Sequence, residues 1–179
     1  DLSNNIGNFS NRNYPLLEAL DLGTNPGAIF LDNDLPNLRY LDLYEYELTE
    51  FSPSNKVPRL EELLLFSNQL TEFHNSELEL QLRTLDLSDN QITSFSNRNF
   101  PLLTTLILDG NPLTSFQDNS FPQLTSMSLA SCGLTAKLPQ TISVPKVVEL
   151  NLMGNSLTSF DCIGVNTLSV LNLRNRWLT

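Results

Sequence analysis

One string recurs along this chain: L-x-x-L-x-L-x-x-N. It reads Leu17, Leu20, Leu22, Asn25; then Leu38, Leu41, Leu43 with Tyr46 in the asparagine slot; then Leu60, Leu63, Leu65, Asn68. It continues through Leu82, Leu85, Leu87, Asn90 and Leu103, Leu106, Leu108, Asn111, to Leu124, Met127, Leu129 with Cys132 in the slot. The last two copies are Val147, Leu150, Leu152, Asn155 and Leu168, Leu171, Leu173 with Arg176. A truncated copy, Leu2 to Asn5, precedes them. The second leucine of each L-x-L stands at 2, 22, 43, 65, 87, 108, 129, 152 and 173, in steps of 20 to 23 residues. Nine copies at such even spacing define an array of stacked units before any single element is assigned.

The physics follows from the period. L-x-L alternates with period two, so the leucines face one side of a short strand and the x residues the other. One unit cannot bury its leucines alone, so neighbours must stack and share a continuous core. Their strands then pair in parallel, about 4.8 Å apart. Asn5, Asn25, Asn68, Asn90, Asn111 and Asn155 follow the strands and turn the chain, their amides serving backbone groups that burial would orphan. Tyr46 and Arg176 break this column and predict local irregularity. Phe30, Phe51, Phe73, Phe95, Phe116 and Phe160 each stand eight residues after an L-x-L leucine, and Phe9 seven after Leu2, which predicts an aromatic spine behind the strands. Tyr14, Leu35, Val57, Phe100, Phe121 and Val144 each precede proline, which favours an extended entry into the next strand. The remaining Ser/Asn/Thr-rich segments lack helical periodicity and predict turns, extended pieces or short 3₁₀ segments.

A 20-to-23-residue unit of this form is similar to those of the leucine-rich-repeat superfamily, and the resemblance covers essentially the whole chain. Leu113-Thr114-Ser115-Phe116 and Phe121-Pro122-Gln123-Leu124 resemble repeats of oomycete surface proteins and receptor-like kinase ectodomains. Gly133-Leu134-Thr135-Ala136-Lys137-Leu138-Pro139 is similar instead to the plant-receptor class, with Lys137 where the spine has phenylalanine. The resemblance implies an α/β-type, β-rich solenoid: a curved horseshoe with about nine parallel strands on its concave face. It also implies a protein-binding module, often an ectodomain, with any kinase outside this chain. Residues 1–179 are read as a single domain with a partial first repeat at 1–16. The pattern opens inside a strand and stops just after one, so a fragment of a longer protein is expected, since solenoids usually need polar caps.

Outward strand positions would face a ligand. Most are polar, but Tyr40, Tyr44, Leu64 and Phe66 form an apolar group on adjacent strands. Phe66 is the one phenylalanine that neither the spine nor a pre-proline slot explains. Outward aromatics on a rigid face are the material of binding hot spots. Asp42, Asp86, Ile107 and Asp109 extend the expected surface on either side. Its aspartates predict a solvated acidic stripe able to steer a basic protein or peptide.

The net charge of -10 argues against nucleic acid as a partner. No apolar run reaches the length of a membrane span. Asp21 and Asp42 stand about one strand spacing apart, but an open sheet would give both carboxyls one environment, so neither glycosidic chemistry nor calcium is expected. No nucleophile elbow, phosphate loop or zinc spacing occurs. The single histidine, His74, is read as a surface residue. Cys132 is read as a buried turn residue, not bridged to Cys162. No catalytic residue, metal or cofactor is assigned. Asn8-Phe9-Ser10 is an N-glycosylation triplet, which favours an extracellular or cell-surface setting. The leading expectation is a non-catalytic recognition module of a receptor, and the alternative is a cytoplasmic scaffold or effector.

Overall fold

In the computed structural model, residues 7–135, 143–157 and 166–174 are described. The partial repeat at Leu2–Asn5, Lys137, Phe160, Cys162 and Arg176 lie outside them. The main sheet has eight parallel strands: β2 (Ala19–Asp21), β4 (Tyr40–Asp42), β5 (Glu62–Leu64), β6 (Thr84–Asp86), β7 (Thr105–Ile107), β8 (Ser126–Ser128), β9 (Glu149–Asn151) and β10 (Val170–Asn172), each paired to the next. Behind it, β1 (Phe9–Ser10) pairs with β3 (Phe30–Leu31), also in parallel. The register aligns equivalent positions throughout, so Leu20, Leu41, Leu63, Leu85, Leu106, Met127, Leu150 and Leu171 form one row across the sheet. From Leu20 to Leu150 that row is buried.

The asparagine column works as hydrogen-bond chemistry requires. Asn90 Nδ2 donates to its own Leu87 carbonyl at 3.0 Å and to Leu65 of the preceding repeat at 2.9 Å, while its Oδ1 accepts from Leu70 N–H at 2.9 Å. Asn68, Asn111 and Asn155 repeat the arrangement. Cys132 reproduces half of it: its thiol donates to Leu108 O at 3.2 Å, but it has no amide oxygen, and Leu113 N–H turns to the Cys132 carbonyl at 3.1 Å. Tyr46 is fully buried in the same slot, with a hydroxyl that meets no partner. Both substitutes are followed by a left-handed residue, Glu47 (φ 63°) and Gly133 (φ 71°), which is the local irregularity at Tyr46.

The spine is present through Phe9, Phe30, Phe51, Phe73, Phe95 and Phe116, all buried. Phe95, Phe100, Phe116 and Phe121 make a cluster with ring centroids 6.0 to 6.3 Å apart. Of the pre-proline column only Tyr14 is exposed. A second buried asparagine set lies behind the spine and was not read from the sequence. Asn33, Asn55 and Asn119 donate to Phe9, Phe30 and Phe95 carbonyls at 3.0, 3.2 and 2.9 Å.

The back of the solenoid also departs from expectation by holding a helical turn, α1 (Ser76–Glu79). The repeat here lacks the pre-proline residue. Asn75 caps the turn by accepting from Leu78 N–H at 3.2 Å, two glutamates occupy the first turn, and Leu78 fills the core position. Glu79 pairs with Arg98, whose guanidinium lies over Phe95 and also meets Nδ1 of the exposed His74.

Candidate functional site

Tyr40 in β4 and Leu64 in β5, with Tyr44 and Phe66 two residues beyond each strand, lie in two neighbouring repeats. Tyr44 and Phe66 stack at 4.8 Å with rings within 7° of parallel. On its other side Tyr44 lies against Gly23, where an added Cβ would stand 2.0 Å from Tyr44 Cε1. Glycine at this column position is therefore a requirement of the ring's placement. The packing corrects one expectation: the four side chains face outward but are half-buried, Tyr44 and Phe66 covering each other. Tyr40 Oη donates to Asp42 Oδ2 at 3.3 Å. Burial, and then the Asp42 carboxylate, push the Tyr40 phenol up to about 12, so it remains a neutral donor.

The acidic stripe also differs from its reading. Asp42 is buried, only 7 % exposed, and is not a solvated steering charge. Its Oδ1 accepts from Tyr44 N–H at 3.0 Å. The same bond to the residue two positions on recurs at Asp21, Asp86, Asn151 and Asn172. This column is a row of strand terminators: a short polar side chain satisfies the N–H freed where the strand ends. Desolvation raises the pKa of Asp42 and of Asp86, against the lowering effect of these bonds. In the sheet register Asp86 sits between Leu64 and Ile107, which explains its desolvation. Asp109 is turned toward the following strand, with Oδ1 accepting from Ala130 N–H at 2.7 Å. Asp42, Asp86 and Asp109 thus have structural work first, whereas Ile107 is half-buried beside the aromatic group's row.

Among the described residues no three His, Cys, Asp or Glu side chains are grouped to hold a metal, and no helix is long and apolar enough to cross a membrane. Residues 81–120 match the family model for leucine-rich repeats in two copies. YopM from Yersinia enterocolitica WA-314 is a structural neighbour, with a TM-score of 0.53 and 23 % identity over 91 % of this chain. No curated protein sequence matches significantly. The fold is a leucine-rich-repeat solenoid. The chain spans 43 % of the length of that YopM chain, and at this identity the likeness speaks for the fold alone.

Within the leucine-rich-repeat frame, the residues that carry shape and those free to carry recognition separate cleanly. Inward leucines, the two asparagine sets and the Asp and Asn members of the terminator column are committed to the scaffold. The free positions are the outermost strand residues and, in the column just after the second leucine, Tyr44, Phe66, Ser88, Met153 and Arg174. Only at Tyr44 and Phe66 does that column carry adjacent aromatic rings.

Proposed function

We propose that this chain is a non-catalytic protein- or peptide-recognition module whose partner docks on the sheet face at Tyr40, Tyr44, Leu64 and Phe66. The observation that carries the reading is the Tyr44–Phe66 stack seated on Gly23. It is a preorganised aromatic pair on a rigid sheet, so little side-chain entropy remains to be lost on binding. Half-buried aromatic area of this kind favours a partner with an apolar or aromatic anchor. The surrounding carboxylates are tied into the strand ends and supply less attraction for a basic partner than their number suggests.

The test is a displayed random-peptide library selected on the native chain. Selected peptides should lose most of their affinity for a Tyr44→Ala/Phe66→Ala double variant that keeps its circular dichroism spectrum. Equal affinity for both proteins would refute the site.

The setting proposed is extracellular or cell-surface, as part of a receptor. It is supported by the Asn8-Phe9-Ser10 triplet, in which Asn8 is exposed while its Oδ1 accepts from Ile29 N–H at 3.0 Å. Mass spectrometry of the protein from its native host should find a glycan on Asn8. An unmodified Asn8 there favours the cytoplasmic scaffold reading.

A further inference from the structure

The strands that carry the aromatic stack also carry a second feature, on the edge where the chain enters the sheet. Residues 39, 61 and 83 each stand just before a strand, on three consecutive repeats. They are Arg39, Glu61 and Arg83, and Glu61 is shared: Arg39 Nη1 bonds its Oε1, and Arg83 Nε lies 3.4 Å from its Oε2. Arg59, two residues before Glu61, donates to Asn37 Oδ1 at 2.6 Å, a neutral acceptor that leaves its charge uncompensated. These three arginines and Glu61, with Gln81 and Leu102, line one open cleft. A chain of net charge -10 therefore gathers three of its ten basic side chains around a single carboxylate. Glu18, the next residue of the same row, makes no ion pair with Arg39 among the described residues.

An ion-pair ladder for stability alone would balance its charges. Here one carboxylate holds two guanidiniums, Arg59 adds a third cation to the cleft wall, and both arginines that hold Glu61 remain about half exposed, at 53 % and 54 %. Guanidinium groups offer paired N–H donors that fit a carboxylate in two-point contact. Leu102, 40 % exposed, supplies an apolar wall for the methylene stem of a glutamate.

We propose that this cleft is a carboxylate-recognition site for an acidic segment of a protein partner. The proposal rests on the reading of the chain as a protein-recognition module and extends it to a second contact. Tyr44 lies five residues from Arg39, at most about 16 Å along the chain, so one partner can reach both. Long polyanions fit less well, because the overall negative charge repels them while only three cations attract.

Hexaglutamate is the probe, titrated at low ionic strength into the full chain, with arginine Nε–H resonances as the readout. Arg39, Arg59 and Arg83 should shift. Glu61→Gln should bind about fivefold tighter, since it removes one nearby like charge, and Arg39→Gln/Arg83→Gln should lose binding while keeping the native spectrum. The absence of shifts, their survival in the double arginine variant, or weaker binding by Glu61→Gln would overturn the proposal. So would tighter binding of an oligothymidylate of equal charge. Tyr44→Ala/Phe66→Ala should leave hexaglutamate binding intact, which separates failure of this site from failure of the aromatic one.

Discussion

Replacing Tyr46 by phenylalanine should make this protein more stable. Tyr46 fills an asparagine slot, is fully buried, and has a hydroxyl without a hydrogen-bond partner. Burial also pushes its phenol up to about 12, as an environment that resists the charged form must. A buried, unpaired hydroxyl costs roughly 1–3 kcal/mol on protein scales. Phenylalanine removes that atom and keeps the ring, so no cavity of consequence opens. The expected gain is about 1–2 kcal/mol, or roughly 2–4 °C in melting temperature per kcal/mol for a chain of this size. Urea denaturation should show a higher midpoint at unchanged slope. Solenoids can open one repeat at a time, so hydrogen exchange at Tyr46 and Leu48, whose N–H groups both bond Asn68 Oδ1, gives the local readout. A lower midpoint with faster exchange would refute the argument. Its physical meaning would be an ordered water that satisfies the hydroxyl.

Asn111→Ala should cost about 2–4 kcal/mol, because it strips the buried Ile92 N–H of its acceptor as well as two donated bonds, and chemical denaturation measures it. Asp42→Asn should stabilise the protein at neutral pH. The folded state raises the Asp42 pKa, so the native protein binds the proton more tightly than the unfolded chain does, and stability falls as pH rises from the ordinary aspartate value through the folded one. Asparagine can keep the Tyr44 N–H bond, as Asn151 and Asn172 do for their neighbours, and should flatten that part of a pH–stability profile. Cys132, buried and with its thiol pushed up to about 12 by desolvation, should resist alkylation in the native protein and react only in denaturant, as peptide mapping would show.

The scaffold was legible in the sequence wherever one letter meant one environment. The leucine rows, the asparagine column and the phenylalanine spine each repeat a residue type at a fixed offset, and the stacking converts that offset directly into position. The asparagines at 33, 55 and 119 were missed because Arg12 and Arg98 interrupt their row and Asn55 is displaced by one residue. The helical turn was missed because four residues are too few for periodicity, although the Asn75 cap and the glutamates after it were a local signal. The outward aspartates were misread for a different reason. Alternation says which face a side chain leaves from, but not that a short polar group will fold back on the next turn. Tyr44 and Phe66 were found because they broke the polar rule of their row. That they cover each other needs the distance between rings, and the meaning of Gly23 needs the ring above it.

The asparagine bonds have a direction along the chain. Asn68 serves N–H groups of the repeat before it, Asn90 serves Leu70, Asn111 serves Ile92, and Asn155 serves Cys132 and Leu134. None of these four turns is finished by its own residues; each waits for the repeat that follows. During synthesis the ordered front must therefore trail the ribosome by at least one repeat beyond the exit tunnel. Folding of this solenoid would advance as a ratchet, in which each arriving repeat locks the one already made.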